Sequence, residues 1–344
     1  MMKNKKFVKG IAVAAIAAMS MGMLAGCGGG ESAQQQEEQK TYTIGVVQLM
    51  QHGSLDLSNQ GLIDGLADNG FVEGENVIYD QQNAQGDQSN LQSIAQQFLS
   101  EDVDMILSIA TPSTQVMAAA TEDIPIVGTA ITSFEEAGLV ESDEAPGTNV
   151  TGTHDMTPIA EQVDLLLQVV PGAQKIGTIY TSSEKNSQVQ IDIFKEVCAE
   201  RGLTPVERTI SSVNDIQQAA QSLVEEGIDA IWLSTDNNVA SAMPQVVSVT
   251  DEAGLVTVCG ANSMVEAGGT LTYGISFYQI GYDAGVMAAQ ILKGESVPAE
   301  MPIQGPKLEA MELIVNMDAV EYMGLEIPAE LMEGATQVRT VVGE

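Results

Sequence analysis

The chain has 344 residues, of which 44% are hydrophobic, so it is long and apolar enough for two domains with cores of ordinary size. Its formal net charge of −34 would repel a phosphate backbone and argues against nucleic-acid binding. We interpret the acidity as a solubility feature of an exposed protein, not as a specific acidic site.

Residues 1–26 have the pattern of a secretory signal peptide. A basic start with four lysines precedes an apolar run over 11–24 that is too short to span a membrane comfortably. The run ends in Leu-Ala-Gly-Cys, which resembles a bacterial lipobox and predicts lipidation of Cys27; the alternative is an ordinary signal peptide with an incidental cysteine. Residues 27–40 are rich in Gly, Ser, Gln and Glu and predict a flexible tether. We therefore expect a lipoprotein on the outer face of the cell membrane.

From residue 42 onwards the pattern alternates between strands and helices, which predicts α/β architecture with parallel, doubly wound sheets. Turn residues over 130–153 predict a crossover between two such units. The predicted strands cover 42–48, 77–79, 103–109, 125–128, 175–180, 204–209, 256–259, 270–275 and 311–316. The predicted helices include 55–69, 112–120, 158–170, 186–201 and 277–293.

Two segments of the chain repeat each other: Leu91–Thr111 and Ile216–Asp236 align without a gap. Each reads as an amphipathic helix, an acidic turn and an apolar strand. Because such a unit cannot bury its apolar faces alone, the repeat predicts two similar α/β lobes. Ligands of open α/β sheets lie beyond the carboxyl ends of the strands. There, one copy ends in a hydroxyl at a helix start and the other in a carboxylate followed by amides, a combination suited to a zwitterion.

The helix over 277–293 is predicted to return to the first lobe, which gives several crossovers and a hinged clamp. We predict a first lobe of residues 41–152 with 277–305 and a second lobe of 153–276 with 306–344.

Several motifs point together to one family. They are YTIGVVQ at 42–48, EGENV at 73–77, NAQGD at 83–87, IATP at 109–112, PGTNVTGT at 146–153 and TDN at 235–237. Over residues 41–335 the chain resembles the substrate-binding lipoproteins of ABC importers of the tryptophan/tyrosine-binding type. The resemblance implies a periplasmic-binding-protein type I fold that delivers a small ligand, an aromatic amino acid in the best-understood members, to a permease with its ATPase. It implies a binding protein and not an enzyme, and we expect a monomer without a cofactor or metal.

Two departures from the family pattern leave the particular ligand open. The family commonly has Thr-Asp-Pro where this chain has Thr132-Ser133-Phe134, and a proline where Gly53 follows His52. A nucleoside or a sugar in the same fold remains an alternative ligand, and a sensory or adhesive role of the same clamp remains open.

An amino acid presents a carboxylate and an ammonium group, and the two lobes are predicted to share them. Thr111 and Ser113, with the N–H groups of the following helix, are predicted to bind the carboxylate. Thr132 and Ser133, in the loop after the fourth strand, are predicted to assist. Asp236 is predicted to bind the ammonium group, so Asp236→Ala should abolish binding and leave the fold intact. The alternative for both Thr111 and Asp236 is a helix cap.

The side chain of the ligand needs an apolar pocket with one or two aromatic walls. Candidate walls are Leu55, Phe134, Tyr180 and Phe277. Trp232 lies inside a strand and is predicted to belong to the core. The remaining predicted ligand contacts are polar residues in loops at the same edge: Gln48, His52, Ser54, Asn186 and Asn237. For His52, closing its own loop is an equal alternative.

The rival class is an enzyme, a racemase-like protein with one thiol on each face of the ligand. That chemistry needs two activated cysteines that converge on the cleft from strand-end loops. Cys198 lies within a predicted helix and Cys259 at a strand end, and both are predicted to be small buried apolar residues. A disulfide between them is an alternative, and neither belongs to a CxxC pair.

Overall fold

The computed structural model describes residues 40–306 and 311–341. The signal peptide, the lipidation site at Cys27 and the tether up to residue 39 lie outside the described residues. Two mostly parallel sheets with helices on their faces confirm the predicted α/β fold class.

The first sheet has five parallel strands in the order β2-β1-β3-β4-β5. These are β1 (Tyr42–Gln48), β2 (Val77–Asn83), β3 (Met105–Ile109), β4 (Ile126–Ile131) and β5 (Val150–His154). Helices α1 (Gly53–Asp68), α2 (Gln88–Glu101) and α3 (Thr111–Ala120) connect the first four strands. Strands β3 and β4 are buried along their whole length, and their mainly apolar sequences suit a sheet that is covered on both faces.

Strand β5 was not predicted. The turn residues over 130–153 predicted a crossover, but Val150–His154 pairs in parallel with β4 as an edge strand. The turn residues Pro146 and Gly147 lie in the preceding loop, and the β-branched residues Val150, Thr151 and Thr153 that follow suit a strand, which is buried except at His154. The crossover therefore starts at the end of this strand.

The second sheet has seven strands in the order β12-β11-β10-β9-β8-β6-β7. They are β6 (Lys175–Thr181), β7 (Thr204–Ile210), β8 (Ala230–Trp232), β9 (Thr257–Val258), β10 (Leu271–Gly274), β11 (Glu312–Asn316) and β12 (Thr336–Val338). The helices are α4 (Ile159–Val169), α5 (Lys185–Glu200), α6 (Ile216–Glu225), α7 (Asn237–Ser241), α8 (Met243–Ala253), α9 (Asn262–Glu266), α10 (Phe277–Leu292), α11 (Met317–Met323) and α12 (Ala329–Met332). Short 3₁₀ helices lie at Val213–Asp215 and Pro298–Glu300.

The second sheet was predicted to be parallel, but strand β11 pairs antiparallel with β10. The reason lies in the path of the chain. It leaves β10 towards the first sheet, forms α10 there and returns to the same end of the second sheet, so β11 has to run back alongside β10.

The two copies of the repeat form the same structure, a helix, a tight turn and a buried strand, as predicted: α2 with β3 and α6 with β8. At aligned positions of the turn, Asp102 and Gly227 both adopt left-handed backbone conformations, with φ of 52° and 69°. The next aligned acids also act alike. Asp104 accepts a hydrogen bond from the N–H of Thr43 at the start of β1, and Asp229 accepts one from Lys175 at the start of β6.

Helix α10 packs against α1 next to the first sheet, as predicted. Both helices have glycines at the contact: a β-carbon at Gly61 would lie 2.0 Å from the carbonyl oxygen of Tyr278, and one at Gly281 would lie 2.1 Å from that of Ser58. The absence of side chains is therefore what lets the two backbones touch. Of the helices in 40–306 and 311–341, none combines the length and the apolarity that crossing a membrane requires.

Candidate functional site

A narrow cavity lies where the first and second sheets face each other. Its lining consists of His52, Ser54, Leu55, Ala130, Thr132, Asp155, Asn186, Thr235, Asn237, Ala240, Ala261 and Phe277. Its volume is about 10 Å³, roughly the space that one water molecule needs. This volume is too small for an amino acid.

Three side-chain contacts join the two sides of the cavity. The Nε2 atom of His52 lies 3.2 Å from Oδ1 of Asn237. The hydroxyl oxygens of Ser54 and Ser263 are 2.6 Å apart. Gln190 on α5 donates from Nε2 to the hydroxyl of Thr132 at 3.2 Å. The two sides of the cavity are therefore in direct contact.

Seven of the predicted ligand contacts meet in this lining. They are His52, Ser54, Leu55, Thr132, Asn186, Asn237 and Phe277. Leu55 and Phe277 supply the apolar surface, with exposed fractions of only 2% and 4%. They come from the starts of α1 and α10, the two helices that pack together beside the first sheet.

Thr111 and Ser113 lie in the first turn of α3 and are not in the cavity lining. Their hydroxyl oxygens are buried and have no hydrogen-bond partner among the described residues. The alternative role for Thr111, a helix cap, is wrong, because Ala110 occupies the N-cap position with a φ of 85°. Two unpartnered hydroxyls at a helix start remain suited to an anion.

Asp236 is fully buried, and both of its carboxylate oxygens are already occupied. It accepts hydrogen bonds from the N–H of Thr181 at 2.6 Å and from its hydroxyl at 2.9 Å. It also accepts from the hydroxyl of Ser187 and from the N–H of Val239. The last contact is the helix cap that the sequence offered as the alternative role. Contact between Asp236 and a ligand stays a prediction.

Asp155 is the site residue that sequence reasoning missed. It lies directly after β5, is 4% exposed and lines the cavity. Its Oδ1 atom accepts a hydrogen bond from the hydroxyl of Thr132 at 3.1 Å. Burial raises the pKa of this carboxyl group to about 6. Its position after an edge strand could have revealed it, but that strand was assigned to a turn region.

Three other predicted contacts are engaged away from the cavity. Gln48 donates to Asp56 at 2.7 Å and to the carbonyl of Met50, which fixes the loop after β1. The hydroxyl of Ser133 accepts from the N–H of Glu136. The hydroxyl of Tyr180 donates to Glu207 at 3.2 Å on the outer strand β7. Whether a ligand reaches any of these three stays a prediction.

Two large aromatic residues belong to the core. Phe134, a candidate pocket wall, is completely buried within the apolar core of the first sheet. Trp232 is also fully buried, as predicted, and stacks on Phe194 with 4.6 Å between ring centres. Its indole N–H donates to Gln162, which satisfies the polar end of the ring.

A third buried carboxyl group, Glu184, contacts the amides of the cavity. Its Oε2 atom accepts hydrogen bonds from the side-chain amide of Asn186 at 2.9 Å and from that of Asn237 at 2.7 Å. Burial and the nearby negative charge of Asp236 raise its pKa to about 8. Within the described residues, Oδ1 of Asn186 and Nδ1 of His52 are buried without a partner.

Cys198 and Cys259 are both buried free thiols within the described residues, so they form no disulfide with each other. Burial raises the pKa of Cys198 to about 12 and also raises that of Cys259. A two-thiol enzyme needs the opposite, thiols of lowered pKa at the cleft. In residues 40–306 and 311–341 there is also no cluster of three or more His, Cys, Asp or Glu able to hold a metal ion.

Comparison with known proteins gives consistent matches along the chain. The family described as "ABC transporter substrate binding protein" matches residues 43–339. A protein of Clostridioides difficile (strain R20291) described as "Tyrosine-binding protein" is 37% identical over 332 residues, which cover 95% of this chain and 94% of that protein. Solved structures of sugar-binding proteins at 15–16% identity share the fold alone.

Two solved structures of higher identity differ in how well they superpose. An ABC domain from Streptococcus pneumonia in complex with L-Trp is 35% identical, with a TM-score of 0.82 over 87% of this chain and 100% of that one. A substrate-binding protein with adhesive properties from Clostridium difficile, in a ligand-free, open structure, is 40% identical. Its TM-score is only 0.67, over 88% of this chain and 100% of that one. The arrangement seen here is thus closer to the complex than to the open form.

Proposed function

Because the chain belongs to the family of ABC transporter substrate-binding proteins, we propose that it captures an amino acid for an importer, with Trp, Tyr or Phe as the ligand. The observation that carries this proposal is that the cavity has an apolar side and a polar side. Leu55 and Phe277 form an apolar side, and Asp155 and Asn186 supply buried acceptors. The relatives that bind tyrosine and L-Trp support the aromatic choice.

The carboxylate of the ligand binds at the start of α3 in this proposal. The hydroxyls of Thr111 and Ser113 are the available partners there, and the helix dipole favours an anion at that end. The ammonium group binds to Asp155, which lines the cavity and has an oxygen beyond the one that Thr132 contacts. Asp236 remains the second candidate, behind the lining and already bonded to Thr181, Ser187 and Val239.

The mechanism is capture by closure of two lobes. The first contains the first sheet through the end of β5 at His154, together with residues 277–305, and the second contains residues 155–276 with 306–344. A ligand that contacts both lobes binds the closed form more tightly than the open form and shifts the population towards it. The contacts of His52 with Asn237 and of Ser54 with Ser263 then join the two sides. The closed form docks on a permease that works with an ATPase, while a lipid on Cys27 keeps the monomeric protein on the outer face of the membrane.

A thermal-shift screen of the fragment Thr41–Glu344 tests the ligand class. The panel contains the twenty amino acids, nucleosides and simple sugars. A ligand of the folded state raises the melting temperature because it stabilises that state by RT ln(1 + [L]/Kd). We expect a selective rise with Trp, Tyr or Phe, followed by a Kd from calorimetry. A rise with a nucleoside or sugar alone would retain the fold and reject the amino-acid ligand.

A further inference from the structure

We propose that Glu184 is a positioning residue that makes the cleft selective for a ligand with a primary ammonium group. It orients the amides of Asn186 and Asn237 so that the cavity presents hydrogen-bond acceptors. The inference rests on the proposed function, since it concerns how the same cavity recognises an amino acid. Glu184 itself is 6% exposed and is not part of the cavity lining, so it acts through the two asparagines.

The orientation of each amide follows from the contacts of one oxygen atom. Oε2 of Glu184 lies 2.9 Å from the side-chain nitrogen of Asn186 and 2.7 Å from that of Asn237. It also accepts the backbone N–H of Asn237 at 3.3 Å. Because a backbone N–H can only donate, Oε2 is an acceptor, and a proton on this carboxyl group belongs on Oε1. Oε2 therefore faces the NH₂ group of each amide, and both Oδ1 atoms point away from Glu184.

The orientation of Asn237 in turn sets the proton on His52. Oδ1 of Asn237 can only accept, so the His52 Nε2 atom at 3.2 Å has to carry the hydrogen. Burial lowers the pKa of His52, which keeps the ring neutral. The other ring nitrogen, Nδ1, is then a bare acceptor, and it is buried without a partner among the described residues.

Three acceptor groups thus belong to residues of the cavity lining. They are Nδ1 of His52, Oδ1 of Asn186 and the carboxyl group of Asp155. A primary ammonium group has three N–H donors and no acceptor, so its chemistry complements this set. A ligand without the amino group would leave buried acceptors unpaired, and such loss is what gives polar sites their strong discrimination.

The test compares ligands that differ only in the amino group. L-tyrosine is measured against 3-(4-hydroxyphenyl)propanoate, and L-tryptophan against 3-(indol-3-yl)propanoate, by calorimetry on Thr41–Glu344. In Glu184→Met the two amides lose their shared acceptor, and we expect the preference for the amino ligand to fall about tenfold or more. Glu184→Gln keeps an oxygen that can accept and should retain most of the preference. Glu196→Met, on the exposed face of helix α5, which Glu184 directly precedes, is the matched control.

A folded Glu184→Met variant that keeps the wild-type preference would overturn the inference. If the wild type binds none of the four compounds, the proposed function itself fails, and that result differs from a lost preference in the variant.

A second measurement needs no variant. The chain has only two histidines, so the ¹⁵N shifts of the His52 ring can be assigned, and we expect the Nε2–H tautomer. The Nδ1–H tautomer in the wild type would contradict the orientation of Asn237 and His52 by Glu184, even if the Glu184→Met variant failed to fold.

Discussion

Two buried carboxyl groups beside the cleft differ in how their oxygens are used. Asp236 accepts four hydrogen bonds from its own side of the cleft, so it holds the ends of β6 and α7 together. Asp155 accepts one side-chain hydrogen bond, from Thr132, and faces the cavity. The number of unoccupied lone pairs therefore distinguishes the two carboxylates. Asp236 holds neighbouring elements in place, whereas Asp155 has an oxygen available for a ligand.

We expect Asp155→Asn to weaken amino-acid binding by about 10- to 100-fold, because it removes the charge of a charge-assisted hydrogen bond of about 1.5–3 kcal/mol. Its melting temperature should change little, since Asn keeps the oxygen that Thr132 contacts.

Asp236→Ala should mainly lower the melting temperature, because four buried donors lose their acceptor. Calorimetry measures ligand binding and thermal unfolding measures stability, and both are applied to Asp155→Asn and Asp236→Ala. Lost binding in a fully stable Asp236→Ala variant would restore the sequence-based assignment.

Helix α10 shows how one element ties the second half of the chain to the first. Its glycines meet those of α1 so closely that carbonyl oxygens occupy the space of a side chain. The same helix begins with Phe277 in the wall of the cavity. Tight packing of α1 on α10 therefore fixes the apolar side of the cavity, which Leu55 and Phe277 both line.

Gly281→Ala tests this packing. The new β-carbon would lie 2.1 Å from the carbonyl oxygen of Ser58, so the helices have to separate. We expect the free energy of unfolding to fall by about 1–3 kcal/mol, the usual range for overpacking. Urea unfolding of Thr41–Glu344 measures it, with Gln279→Ala on the exposed face of α10 as the control. A Gly281→Ala variant as stable as the control would show that α1 and α10 are not in direct backbone contact.

Over the whole molecule, several ionisable groups are buried, and burial shifts their pKa values. Burial raises the pKa of Asp155 to about 6, and burial with the nearby negative charge of Asp236 raises that of Glu184 to about 8. His52 and His154 have lowered pKa values, chiefly because burial disfavours their charged forms. The two kinds of group act oppositely on the pH dependence of stability, so their separate effects appear only when one group is replaced.

We expect Glu184 to stabilise the fold most at low pH. Its folded pKa lies above the ordinary value of 4.5, so this contribution is complete below about 4.5 and is lost as the pH rises through about 8. The stability difference between wild type and Glu184→Gln should therefore decrease from pH 5 to pH 8, while the histidine contributions cancel. Urea unfolding at several pH values measures this difference. A difference that grows with pH would contradict the burial of a neutral Glu184.

Local sequence patterns predict much of the architecture, and for these features the sequence alone was sufficient. Apolar runs of strand length, amphipathic helices and the repeated helix–turn–strand unit report on local burial, so they gave the two α/β units and most elements. Seven predicted ligand contacts line the cavity because they follow strands or begin helices at one edge.

Only the tertiary structure decided the features that depend on distant partners. The direction of β11 follows from the path of the chain through α10, and the role of β5 from an edge beside β4. Glu184 and Asn237 are 53 residues apart, and nothing in the local pattern of either indicates their contact. The free lone pairs of Asp155 and the filled ones of Asp236 likewise depend on which donors packing brings near. Local sequence specifies which elements form, whereas hydrogen-bond satisfaction in the cleft is a property of the packed molecule.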